Sequence, residues 1–208
     1  GLPSAYVAQT IRLLWPAILN QTGGVLITDI DMIPANSQYF SVNIQNLDDN
    51  LFINYRQGDG SGLNVKQLYM CYNIAPSKIW SDIFNIRNMN DVNKFLITNF
   101  NPEYNSIHGG NGWYTDQELF FNYFMKWSKN NSNHIFLNDW NTQFVRLEPS
   151  YLNYDMHAIM RILNTNKYAD CHIYSHLCPW NENDILDFIK LDALNNYDCN
   201  SPDLLSKE

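Results

Sequence analysis

With 208 residues, 45% of them hydrophobic and 14% aromatic, the chain carries enough apolar side chain to bury a substantial core in a single domain, which excludes global disorder. Its formal net charge of −8 and pI near 4.9 exclude a nucleic-acid partner, because binding a phosphate backbone rests on clustered Lys and Arg. One small phosphorylated ligand, its charge neutralised by a metal, stays compatible with that balance. No apolar run is long enough to span a bilayer, no signal peptide opens the chain, and Cys71, Cys171, Cys178 and Cys199 form no C-x-x-C pair, so the expected setting is reducing and cytoplasmic.

The first element is a helix from Ser4 to Leu19, read from Val7, Ile11, Leu14, Trp15 and Ile18 behind a Ser4 cap, with Pro16 kinking or ending it. Gly23-Gly24 then turns the chain into a buried strand, Val25-Leu26-Ile27-Thr28, that ends at Asp29. Helix, turn, strand and carboxylate in that order predict an α/β fold. Further strands are expected at Tyr39–Ile44, Leu51–Tyr55 and Gln67–Tyr72, with a flexible loop at Gln57–Gly62. Ile79, Trp80, Ile83 and Phe84 predict a helix after Pro76-Ser77, and Asn90 is expected to cap another through Val92, Phe95 and Leu96. A long irregular stretch, Asn99 to Tyr114, holds His108-Gly109-Gly110-Asn111-Gly112-Trp113. Thr115 opens an apolar helix through Leu119, Phe120, Tyr123, Phe124 and Trp127, and Thr115 with Glu118 spells a capping box. Strands follow at His134–Leu137, Phe144–Leu147 and Cys171–Tyr174, and an amphipathic helix through Ile185, Leu186, Ile189 and Leu194 closes the chain.

The chemistry concentrates at Asp29-Ile30-Asp31. On a continuing strand the two carboxylates share a face, with backbone positions roughly 6.5 Å apart. Like charges that close need a cation, and hard carboxylate oxygens suit magnesium or manganese. Two phosphate mechanisms use such a pair. A metal can grip the diphosphate of an activated sugar and neutralise it as it leaves. Alternatively, Asp29 can accept a phosphoryl group covalently, as in haloacid-dehalogenase-type phosphatases; Met32-Ile33-Pro34 stands where that motif wants Gly-Thr, and Asp48-Asp49 lies too near to be its second acidic pair.

Taken together, Arg12-Leu13-Leu14-Trp15-Pro16, Gly24-Val25-Leu26-Ile27 and Asp29-Ile30-Asp31-Met32 resemble the nucleotide-sugar glycosyltransferases of the GT-A fold. Trp113-Tyr114-Thr115-Asp116-Gln117 is similar to the W-x-x-D-Q segment on the sugar and acceptor side of many such sites, and His172 to Trp180 to a C-terminal His…Pro-Trp element. The resemblance implies a GT-A sheet flanked by helices, formed by residues 1–208 as one catalytic domain that moves sugar from a nucleotide diphosphate sugar to a carbohydrate or glycoconjugate hydroxyl. It implies manganese or magnesium on Asp31 with Asp29 assisting, completed by His176 or His172. Tyr6, Arg12, Asp29 and Ile30 would contact the donor. Asp116 and Gln117 would stand near the reaction centre, and His108, Trp113, Tyr114 and Trp180 would contact acceptor or sugar. In the family a nucleotide-binding βαβ unit precedes the D-x-D; here Asp29 follows one helix in a chain numbered from Gly1, so that unit is expected to be shortened or to lie outside the numbered chain. A carbohydrate-binding domain that keeps the fold without catalysis is the remaining alternative.

Overall fold

The computed structural model describes residues 1–57, 61–147, 155–163 and 167–172. In chain order the elements are α1 (Ser4–Leu14), β1 (Gly24–Ile27), β2 (Met32–Pro34), α2 (Ser37–Ser41), β3 (Phe52–Asn54), α3 (Ser61–Asn64), β4 (Asn73–Pro76) and α4 (Ser77–Phe84). They continue with α5 (Met89–Thr98), α6 (Thr115–Ser128), β5 (His134–Phe136), α7 (Asp139–Thr142), β6 (Val145–Leu147), α8 (Met156–Leu163) and β7 (Tyr168–His172). This is a mixed α/β architecture. The chain divides into two compact units, Gly1–Asp29 with Leu47–Asn141, and Ile30–Asn46 with Thr142–Glu208.

The first unit is built on a sheet of order β1-β4-β3-β5, antiparallel except for the parallel pair β3 and β5. Helices α1, α4, α5 and α6 supply the apolar side of its core: Tyr6, Leu13, Leu14, Trp80, Phe84, Phe95, Phe120 and Phe124 are all buried. The helical spacing of Trp80, Phe84, Phe120 and Phe124 thus has its structural reading. Trp80 meets Phe52 and Phe120 at ring-centroid distances of 5.8 Å, and its indole N–H donates to the Val25 carbonyl at 3.3 Å. Replacing so large a buried side chain leaves a void the sheet cannot collapse into, so Trp80→Ala is expected to cost about 3–5 kcal/mol, measured as a lowered urea midpoint.

The second unit pairs β2 antiparallel with β7 and β7 parallel with β6, with an irregularity between Val145 and Arg146. Met32, Leu147, Ala169 and Cys171 are buried there, and the Ala35 amide extends the β2–β7 ladder by donating to the Ala169 carbonyl at 2.9 Å.

Several sequence expectations change, each for a local reason. Ser4 is the first helical residue of α1 and Pro3 stands at the cap, without a side-chain hydrogen bond. Pro16 does end the α-helix, since Trp15–Ile18 tighten into a 3-10 turn. Strand β1 stops at Ile27, is the sheet's edge and leaves Gly24 and Leu26 exposed, so it is not the buried strand expected. Asp29 and Asp31 therefore do not alternate along one strand; they flank the turn between β1 and β2. Tyr39–Ile44 is no strand: Asn36 Oδ1 accepts the Gln38 amide at 2.9 Å and caps α2, a stronger local instruction than the alternation of Tyr39 to Ile44.

Gln67–Tyr72 is likewise not a strand. Its amides go elsewhere, Leu68 to the Gln117 carbonyl at 3.2 Å and Tyr69 to Gln57 Oε1 at 2.9 Å, and Tyr72 at φ 57° turns the chain before β4 begins at Asn73. The cap of α5 is Asn88 rather than Asn90, because Asn88 is extended and its Oδ1 reaches the Asn90 and Asp91 amides at 2.9 and 3.2 Å. Thr115 is the first helical residue of α6 and Tyr114 its cap, which puts the expected Thr115–Glu118 capping box one residue out of register. Of the expected loop Gln57–Gly62, residues 58–60 lie outside the described residues, and Ser61 already begins α3. The strand expected at Cys171–Tyr174 begins earlier, as β7 from Tyr168 to His172. Ile173, Tyr174 and the closing helix through Ile185 lie outside the described residues.

Candidate functional site

In the first unit, three stretches far apart in sequence meet at Arg12. It sits on the last turn of α1, where its guanidinium reaches two carboxylates. Nη1 donates to Asp29 Oδ1 at 2.5 Å, just beyond the end of β1, and Nη2 donates to Asp116 Oδ2 in the first turn of α6. The side chains of Arg12 and Asp29 are 28% and 29% exposed, whereas that of Asp116 is 2% exposed. Asp116 is thus an anchor from below, and Arg12 and Asp29 are the parts that reach solvent.

Three donors converge on the Asp116 carboxylate. Arg12 serves Oδ2, and Oδ1 accepts the Gln9 carboxamide at 3.0 Å and the Gln117 amide at 2.9 Å. Burial pushes the Asp116 carboxyl above the ordinary aspartate value, and these donors pull against that rise. For Arg12, burial alone would lower the pKa; Asp116 and then Asp29 more than reverse it, and the guanidinium stays charged. The ionised pair is what the donor geometry serves.

The long loop brings its aromatic residues to the neighbouring surface of the same unit. The rings of His108 and Trp113 meet tilted at 48° with centroids 4.5 Å apart, and Trp113 and Tyr114 are exposed. Short turns shape the loop: the Gly110 amide donates to the Ile107 carbonyl at 2.8 Å and the Trp113 amide to the Gly110 carbonyl at 3.1 Å. Gly112 has φ +87°, and a Cβ there would run into the Tyr104 ring, so only glycine serves at this position.

Other sequence candidates are placed differently. Tyr6 is fully buried, its hydroxyl donates to the Leu96 carbonyl at 2.9 Å, and its ring packs on Phe100 and Tyr104; it belongs to the core. Gln117 contributes backbone, its amide to Asp116 and its carbonyl to Leu68. Ile30 is fully exposed at the start of the second unit. His176 and Trp180 lie outside the described residues.

The second unit carries its own pair. His172 closes β7, and its Nε2 lies 3.4 Å from Asp31 Oδ2. The imidazole holds the Asp31 carboxyl below the ordinary aspartate range, with help from the charge of Arg146. Asp31 is 37% exposed, so its carboxylate keeps access to solvent. A carboxylate oxygen beside an imidazole nitrogen is a donor pair that manganese accepts. Among the described residues, no three His, Cys, Asp or Glu side chains gather into a metal-binding group. Of the aspartate pair, Asp29 has one oxygen already committed to Arg12.

Gln9 and Tyr104 belong to the Arg12 cluster and were not expected from the sequence. The signal for Gln9 was present: it stands three residues before Arg12 on a helix, a spacing that puts both side chains on one face. For Tyr104, in an irregular loop, no such periodicity exists.

Comparison with protein-family models, with curated proteins and with solved structures gives no match to this chain. Among the described residues, no helix is long and apolar enough to cross a membrane. The functional reading therefore rests on residues and geometry.

Proposed function

We propose that this chain is a metal-dependent glycosyltransferase that moves a sugar from a nucleotide diphosphate sugar to a carbohydrate hydroxyl. One observation supports it above others. Arg12, Asp29 and Asp116, drawn from three of the five stretches that resemble the GT-A enzymes, lie in one hydrogen-bonded cluster although Arg12 and Asp116 are 104 residues apart. Beside them the exposed Trp113 and Tyr114 offer the flat apolar faces on which a sugar ring stacks.

In this reading Arg12 is the anion contact. A guanidinium held on one edge by Asp116 is oriented before the ligand arrives and offers its remaining N–H groups to a diphosphate. In the second unit Asp31 and His172 would hold a divalent cation, whose chemistry when bound is to neutralise a diphosphate's charge. The bond from the sugar's anomeric carbon to the diphosphate breaks, the bond to the acceptor oxygen forms, and the acceptor proton passes to a carboxylate or to water. Buried and triply bonded, Asp116 serves better to hold Arg12 than to take that proton.

The same burial favours a second reading, a carbohydrate-binding domain without catalysis. Release of nucleoside diphosphate from a nucleotide sugar separates the two. The glycosyltransferase is expected to release it only with manganese or magnesium, and a pure binding domain does not release it under any condition. The phosphatase alternative gains no support: Asp48 Oδ1 caps its own turn through the Asn50 amide at 2.7 Å.

A pH dependence follows from Asp116. Its carboxyl must be ionised to hold Arg12, and burial sets its pKa above the usual value of about 3.9. Donor affinity is therefore expected to weaken as pH falls, beginning above the range where an ordinary aspartate titrates. Asp116→Asn should flatten that limb at a lower overall affinity, as read by calorimetry across pH.

A further inference from the structure

The carboxamide of Gln9 has three partners. Nε2 donates to the Trp113 carbonyl at 2.6 Å and to Asp116 Oδ1 at 3.0 Å, and Oε1 accepts the Tyr104 hydroxyl at 3.2 Å. A primary amide has two N–H groups, and both are engaged here by acceptors on different segments. One side chain on α1 thus ties the loop at Tyr104, the end of that loop at Trp113, and the start of α6 at Asp116. The short turns within residues 105–113 shape the loop locally, whereas the Gln9 bonds fix its place relative to Arg12 on the same helix face.

We propose that Gln9 is the positioning residue of this site, fixing the spacing between its aromatic edge at His108 and Trp113 and its charged edge at Arg12 and Asp29, so that it selects one ligand bearing both a sugar ring and a phosphate group. The ligand class rests on the glycosyl-transfer reading; the positioning role stands on the geometry alone. A rigid spacing rewards a ligand that reaches both edges at once and gives a bare diphosphate no such advantage. Because Gln9 also donates to Asp116, losing it removes one of the three donors that favour the ionised carboxylate.

Gln9→Leu keeps similar bulk and removes all three hydrogen bonds. Two measurements on the ligand-free protein decide the positioning role: amide hydrogen exchange across residues 110–115, and an NMR titration of the Asp116 carboxyl carbon, assigned with Asp116→Asn. Exchange is expected to accelerate at least about tenfold, and the Asp116 midpoint to rise. Tyr104→Phe, which removes only the donor to Gln9 Oε1, should shift both in the same direction by less. A folded Gln9→Leu protein with unchanged exchange and an unchanged titration overturns the proposal.

Calorimetry with manganese and either a nucleoside diphosphate or its sugar conjugate then tests the ligand class. Gln9→Leu should cost the conjugate roughly tenfold more affinity than it costs the bare diphosphate. Equal losses on both ligands overturn the ligand class. If neither binds the wild type, the glycosyl-transfer reading falls and the ligand class with it, while exchange and titration still decide the role of Gln9.

Discussion

Arg12→Ala is expected to destabilise the protein by about 2–3 kcal/mol and to abolish donor binding at the same time. The stability loss comes from Asp116, whose buried carboxylate would keep only Gln9 and the Gln117 amide as partners. Removing one member of a buried ion pair costs about 3–5 kcal/mol; the partial exposure of Arg12 places this case at or below the lower end. The pH dependence carries a definite sign. Asp116 already has a folded pKa above its unfolded value, through burial, and loss of Arg12 raises it further. A raised carboxyl pKa means the folded state binds its proton more tightly than the unfolded state. The stability of Arg12→Ala should therefore fall, relative to wild type, as pH rises through that pKa, and the deficit should narrow below about pH 3.9. Urea unfolding at pH 3.5 and pH 7 checks this. An equal deficit at both values would mean that Asp116 does not depend on Arg12 for its charge. Arg12→Lys should recover part of the stability and little donor affinity, since an ammonium cannot serve Asp29, Asp116 and a diphosphate as a planar fork can.

Asp31→Ala should do the reverse, leaving the fold nearly intact and removing metal-dependent donor binding by at least a hundredfold. Asp31 lies in the turn before β2 and is partly exposed, so its loss opens no buried cavity. Its own titration sharpens the test. The Asp31 carboxyl is held below the ordinary range by the His172 imidazole, so its contribution is present above the unfolded pKa and lost as pH falls through the folded one. Asp31→Ala should accordingly remove that acid-sensitive part of the stability curve. Manganese affinity by electron paramagnetic resonance, alone and with a nucleoside diphosphate, supplies the functional readout.

The elements legible in the sequence were those whose burial follows one clear period. Trp80, Phe84, Phe120 and Phe124 read as core because helices α4 and α6 bury one face, and Pro16 ended α1 because it cannot continue the hydrogen-bond ladder. Strand positions were less legible. Tyr39–Ile44 alternates like a strand, yet a single asparagine, Asn36, captured an amide and turned it into α2. Gln67–Tyr72 has strand composition, but its Leu68 and Tyr69 amides go to a carbonyl of α6 and a side chain of Gln57, contacts that no local pattern encodes.

At the site, the sequence marks two carboxylates as groups needing a positive partner, and the structure sets a side-chain cation against one of them. Asp29 is met by Arg12, which the resemblance names only as a donor contact. Charge neutralisation by a side chain 17 residues away is a tertiary fact; the D-x-D spacing states only that a cation is needed. Asp116 was legible as a polar residue at a helix start and illegible as a buried anchor, because its burial comes from α1 and the long loop packing over it.

The central proposal is that this chain binds a nucleotide diphosphate sugar together with a divalent cation, with Arg12 as the anion contact. Thermal unfolding of the wild type with a panel of nucleoside diphosphates and their sugar conjugates, each with and without manganese, tests it most directly. A ligand that binds only the folded state at a hundred times its dissociation constant adds about 2.7 kcal/mol of stability. At least one conjugate should raise the melting temperature with manganese by more than the conjugate or the metal achieves alone. A melting temperature that no conjugate raises in the presence of manganese would contradict the account.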